Sequence, residues 1–204
     1  MAIEVSDDMI KMLKKYGDLL KDNQLSEFYK KLQDENKELV VAGSFTHLLL
    51  DSGMSVYDIF NHLDDEIPTG CFANCTLPDI LTVPKKIITM CDSAFEECYG
   101  LRELSFNATE IHLDGFFIFA HCNTLEKIIL PELAFNVVPS NCFSFCPSLK
   151  EVIFTAHVSN LHIGSNAFGY NIPKDCKIYI PDSVRDSING AGATRKFFEH
   201  VIWT

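Results

Sequence analysis

The sequence predicts an α+β protein built as a single-chain solenoid, with about five coils of 23–25 residues, a parallel sheet, an N-terminal helical cap and a C-terminal helix. Three observations carry this reading. Phe-x-x-Cys recurs at Phe72/Cys75, Phe95/Cys98, Phe119/Cys122 and Phe143/Cys146, and Phe168-x-x-Asn171 keeps the Phe, at intervals of 23, 24, 24 and 25 residues. Each copy is followed by a short alternating apolar run, the mark of a half-buried strand. The residues ahead of the first copy carry helical spacing instead. A unit of about 24 residues cannot bury its own apolar face, so successive units must stack.

From the N-terminus, residues 1–63 read as a helical capping region. Met9, Met12, Leu13, Tyr16, Leu19 and Leu20 follow helical spacing, with Ser6 as N-cap before Asp7 and Asp8. Leu25, Phe28, Tyr29 and Leu32 form a second stripe. A third helix is expected from Phe45 to Leu50, ending near Gly53. Ser55 and Asp58 open a fourth through a capping box that uses Asp, with Val56, Ile59, Phe60 and Leu63 buried. An open solenoid end exposes core, so these helices are expected to close the first coil. Docking of a partner helix is the alternative use for them.

Residues 64–181 form the solenoid. Its strands are expected at 81–84 (LTVP), 104–106 (LSF), 128–131 (IILP), 152–154 (VIF) and 178–181 (IYIP). Stacking places Phe72, Phe95, Phe119, Phe143 and Phe168 in one interior column. Cys75, Cys98, Cys122, Cys146 and Asn171 make a second, and Leu101, Leu125 and Leu149 a third. The outward strand positions then run Glu103, Lys127, Glu151, Lys177, alternating in sign as favourable cross-strand neighbours do. Residues 182–204 are expected to form a capping helix around Val184–Trp203.

Eight cysteines raise the question of chemistry. A residue repeated at one structural position fills one packing slot, and free Cys behaves as a small buried hydrophobe. Cys71 and Cys142 precede the column Phe in a slot that elsewhere holds Ala94, Ile118 and Ala167, so that slot also takes small apolar residues. Metal or redox chemistry is the competing reading. Cys71-x3-Cys75 and Cys142-x3-Cys146 look like half-sites, but no Cys-x2-Cys pair exists. No metal and no cofactor are expected.

The copies "AFEECYGLRELSF" and "CFSFCPSLKEVIF" resemble the BspA-type leucine-rich repeats. The ending "CKIYIPDSVRDSINGAGATRKFFEHVIW" is similar to that family's last strand followed by a helix ending in an aromatic. The resemblance covers about residues 64–204 and implies a leucine-rich-repeat solenoid. Two copies, "EIHLDGFFIFAHC" and "ELAFNVVPSNCFSFC", depart from the family's usual lead-in to the turn. The stretch "FYKKL…FTHLLLDSGMSVYDIFNHLDDEIPTGCF" resembles the helical leader of leucine-rich-repeat proteins encoded by bacteriophages. Many family members are secreted or surface adhesins. The charged N-terminus here lacks a signal peptide's apolar region, so a cytoplasmic chain is expected, in the host cytoplasm if phage-encoded.

The sequence has no run of 18 apolar residues, so no membrane association is expected. It has no P-loop, G-x-G-x-x-G, H-E-x-x-H or G-x-S-x-G, and no enzyme is expected. His112, His121, His157 and His162 read as surface or satisfied residues. The net charge is −11, and residues 51–132 carry fourteen acids against four bases. That balance repels phosphate, so nucleic acid is not an expected partner. The expected function is a non-catalytic protein-binding module with an unidentified protein partner. An acidic inhibitor or mimic that engages a basic surface of a nucleic-acid-handling host protein is the alternative. The expected partner-binding stripe is Ile129, Ile153 and Tyr179, rimmed by Lys127, Glu151 and Lys177. Outward positions on a solvated sheet face are normally polar, and the same column begins with Thr82 and Ser105. A C-terminal helix or a loop folded over the stripe is the competing expectation.

Overall fold

The computed structural model describes residues 46–204 except 48, 52, 156–159, 170 and 171. The two stripes expected before residue 33, the Ser6 cap, Phe45, His157 and Asn171 lie outside the described residues.

Two parallel ladders, joined coil by coil, make the solenoid. The main sheet has six strands: β2 (Ile80–Val83), β4 (Glu103–Phe106), β6 (Lys127–Leu130), β9 (Glu151–Phe154), β11 (Lys177–Ile180) and β12 (Val201–Trp203), in that spatial order. Five of these are the expected strands, and each begins one residue early because an outward first residue, Ile80, Glu103, Lys127, Glu151 or Lys177, also joins the ladder. A second sheet pairs β1 (Glu66–Ile67), β3 (Thr89–Cys91), β5 (Glu110–Asp114) and β7 (Glu132–Leu133). It is continued by the pair β8 (Val137–Val138) and β10 (His162–Ile163). The two irregular copies account for this break. "EIHLDGFFIFAHC" supplies an unbroken β5, whereas "ELAFNVVPSNCFSFC" is split into β7 and β8 around Asn136, which sits at φ 52°.

The core is one column of aromatic rings down the axis. Phe72, Phe95, Phe119, Phe143 and Phe168 stack with centroids 5.3–5.5 Å apart and planes within 18° of parallel. Near-parallel stacking follows from identical rotamers one strand spacing apart, about 4.8 Å. Phe60 closes the N-terminal end, edge-on to Phe72 at 5.3 Å. It is carried by α1 (Val56–His62), whose N-terminus is the expected box: the Asp58 N–H donates to Ser55 Oγ at 3.1 Å, and the Ser55 N–H to Asp58 Oδ2 at 3.0 Å. Val56, Ile59, Phe60 and Leu63 are all buried. Residues 46, 47 and 49–51 are helical. Their helix ends in a Schellman motif at Gly53 (φ 96°), where Gly53 N–H donates to the Leu50 carbonyl and Met54 N–H to the Leu49 carbonyl.

The expected C-terminal helix is corrected. Residues 182–187 form a 3-10 helix, α2 is only Arg195–Phe198, and the chain then returns to the main sheet as β12. Val201, Ile202 and Trp203 pair in parallel with Ile178, Tyr179 and Ile180. This is a sixth coil rather than a lid. Phe197 adds a sixth ring to the column, 5.5 Å from Phe168, and His200 stands three residues on, where the first four coils have Cys. The His200 Nδ1–H donates to the Cys176 carbonyl at 2.9 Å. Among the described residues the coil count is therefore six rather than five.

Candidate protein-binding face

The outward side of the main sheet is ordered by its register. Glu103 pairs with Lys127, Lys127 with Glu151 and Glu151 with Lys177, so the alternating column is real. Lys127 and Glu151 are 3.7 Å apart. The residues one step earlier make a second alternating column. Arg102 forks onto Asp79 through Nε and Nη2, and Lys150 lies 2.8 Å from Glu126. The guanidinium holds the Asp79 carboxyl below the usual carboxylate range. Exposed pairs of this kind add little stability. Their consequence is that this end of the face is a checkerboard with nearly balanced charge.

Two residues on, the third column runs Thr82, Ser105, Ile129, Ile153, Tyr179. Thr82 and Ser105 share a hydroxyl hydrogen bond at 3.0 Å. Ile129 pairs with Ile153, and Ile153 with Tyr179, each partly buried by its neighbours. β12 then sets Ile202 beside Tyr179, 42% exposed. The C-terminal segment thus lengthens the stripe within the sheet rather than folding across it. Ile202 was missed in the sequence because residues 201–203 read as helix.

The cysteines occupy the interior. All eight are free thiols, and all but Cys91 are buried. The column thiols also hydrogen-bond: Cys98, Cys122 and Cys146 donate Sγ–H to the carbonyls of Phe72, Phe95 and Phe119 in the preceding coil, at 3.2, 3.0 and 3.1 Å. The slot therefore selects a small apolar side chain with a weak donor. Burial pushes the Cys75, Cys98, Cys142 and Cys146 thiols far up. Cys91 is pushed up to about 12 by burial and then by Glu66, Asp114 and Asp92, and Cys176 to about 12 by burial and then Asp175. Nucleophilic or ligating thiolate is disfavoured at these six positions at neutral pH. Among the described residues no three His, Cys, Asp or Glu side chains converge on a point. His162 bonds Asn189 at 2.7 Å, His112 meets the edge of Phe135 and His121 stacks on Phe145. No helix among the described residues is long and apolar enough to cross a membrane.

The turns impose a second requirement. Residues two before and two after the column Phe adopt positive φ: Gly70, Ser93, Phe117, Asn141 and Asn166 before it, and Asn74, Glu97, His121 and Phe145 after it. This conformation aims the backbone N–H along the axis. Asn74, Glu97 and His121 donate to Glu96, Ala120 and Ser144 of the next coil at 2.8–2.9 Å. The side chains of Asn74, Phe117 and Phe145 are exposed there, whereas Ser93 is buried.

The BspA type Leucine rich repeat region matches residues 65–191 in six copies. Comparison with curated proteins finds no match, and comparison with solved structures finds none. The match spans more than half of the chain and takes in five of the six main-sheet strands and five of the six stacked rings, and the chain belongs to the BspA-type leucine-rich repeat proteins.

Proposed function

We propose that this protein is a non-catalytic protein-binding module whose platform is the outward face of the main sheet. Leucine-rich repeats of this kind generally mediate binding between proteins. The observation that carries the reading is the in-register stripe Ile129, Ile153, Tyr179 and Ile202. Large apolar side chains on the solvent face of a sheet are costly to leave wet, and contiguous ones mark interaction sites. Tyr179 is the anchor, since aromatics dominate interface energetics. Lys127, Glu151 and Lys177 form a polar rim that sets register with the partner. A phage origin, with a host protein as the partner, rests on the resemblance of the leader.

The experiment pairs two baits in affinity capture from the native host with mass spectrometry: the natural chain, and Ile153→Glu combined with Tyr179→Ser. A protein retained by the first and lost from the second, with capture persisting at 500 mM salt, supports the platform. Capture that is equal on both baits contradicts it. So does capture that disappears between about 50 and 500 mM salt, because charge-driven association is screened over that range.

A further inference from the structure

The opposite side of the coil, made by the second sheet and the Phe-x-x-Cys turns, has a different character. Four aromatic residues there are wet: Phe116 (55% exposed), Phe117 (40%), Phe135 (70%) and Phe145 (54%). None serves the core. Phe117 and Phe145 also occupy positive-φ slots, at 57° and 59°, that other coils fill with Gly, Ser, Asn, Glu or His. A bulky aromatic is a poor choice for such a turn, so these rings satisfy no folding requirement.

Charge is segregated between the two sides. Residues 87–173 contain only three Lys or Arg: Arg102, Lys127 and Lys150. All three lie on or just before main-sheet strands, where they meet Asp79, Glu151 and Glu126. The acids Asp92, Glu96, Glu97, Glu110, Asp114 and Glu132 all lie in the second sheet or the turns. Glu110 and Glu132 stand directly opposite each other on β5 and β7, both exposed, an arrangement that costs stability. Lys85 reaches the corner near Glu110, and Lys86 is held by the carbonyls of Asn61 and Leu63. An open groove of about 600 Å³ runs along this side, lined by Glu66, Asp92, Asp114, Phe116, Val137 and Pro139 among others. Gly115 permits its wall: a Cβ there would meet the Asp92 backbone nitrogen at 2.5 Å, and Phe116 N–H donates to the Asp92 carboxylate.

We propose that this acidic, aromatic side is a second docking surface, for an extended cationic polypeptide segment that alternates Lys or Arg with apolar residues. The carboxylates are strung along successive coils rather than gathered on one point, so they suit an extended chain and not an ion. The groove spans coils one to five, about 19 Å at one strand spacing per coil, the length of about six extended residues. Cations paired with the carboxylates would sit over exposed Phe faces, a favourable geometry. A second copy of this chain presents the same charge and is repelled, as is nucleic acid. This surface does not depend on the main-sheet reading, since it shares no residue with it.

The probe is a fluorescent octapeptide of alternating Lys and Trp, titrated into the full chain. A Lys–Gly octapeptide and a Glu–Trp octapeptide are the controls. The expected result is saturable binding of Lys–Trp, about tenfold weaker binding of Lys–Gly, and none of Glu–Trp. Phe116→Ser with Phe135→Ser weakens Lys–Trp binding about tenfold, as does Glu110→Gln with Glu132→Gln. Ile153→Ser with Tyr179→Ser on the main sheet leaves it unchanged. All of these residues except Ile153 and Tyr179 are surface positions of the second side, so circular dichroism melts confirm that folding is intact. Absence of binding, equal binding of Lys–Gly and Lys–Trp, or equal binding to the Phe variant overturns the proposal.

Discussion

Phe168 and Phe197 lie face to face, 5.5 Å apart and 29° from parallel, although 29 residues of chain separate them. The other rungs are 23 to 25 residues apart. The extra residues lie between β11 and α2, where the 3-10 helix at Asp182–Ser187 buries Val184 in the same core. One ring column therefore runs from the capping Phe60 to the terminal coil, and all the described coils share one core.

A column of this kind predicts a single cooperative unit. Phe119→Ala at its centre is expected to lower stability by about 3–5 kcal/mol in urea unfolding. A loss below about 1 kcal/mol contradicts burial of that ring. Two separated transitions contradict the shared core.

The turn geometry makes an opposite prediction for Phe117. Its φ of 57° suits Asn, which fills the equivalent slot at Asn141 and Asn166. Phe117→Asn is expected to raise stability by about 0.5–1 kcal/mol in the same assay. A variant less stable than the natural chain means that the Phe117 ring is needed for folding.

Thiol titration separates packing from reactivity. Eight thiols react after denaturation, and few do so before it, since seven are buried and Cys91 is pushed up to about 12. The linkage has a definite sign. An unfolded thiol ionises near pH 8.5. Folded values above that favour the protonated form, so their stabilisation is complete below about pH 8.5 and is lost as pH rises toward the folded values, about 12 for Cys91 and Cys176. Stability is expected to fall from pH 9 to 11, with each of the six raised thiols contributing up to about 1.4 kcal/mol per pH unit. Rapid modification of native thiols, or flat stability across that range, contradicts the packing account.

Much of this was readable because a repeat slot admits one residue type. Phe95, Phe119 and Phe143 announced the column, and the alternating Glu103, Lys127 and Glu151 announced the register. What escaped has physical reasons. The second sheet is built from strands of two to five residues, too short for a period to emerge, and β7 and β8 are interrupted by Asn136. The sixth coil hides its rung, because Phe197 comes late and His200 replaces Cys. Nothing in composition marked the positive-φ slots, since the side chain there can be Asn, Glu, His or Phe alike. The stripe itself was visible up to Tyr179, and its last member, Ile202, depended on seeing β12.

The central claim is that Ile129, Ile153, Tyr179 and Ile202 form a surface kept for a partner and are not core. Urea unfolding of Ile153→Glu combined with Tyr179→Ser tests this most directly. Losing the cross-strand apolar pairs of an outward face costs a few tenths to 1 kcal/mol each, so a total loss below about 2 kcal/mol is predicted. A loss above about 4 kcal/mol, the scale of a disrupted interior, would show that the stripe belongs to the core and contradict the binding-face account.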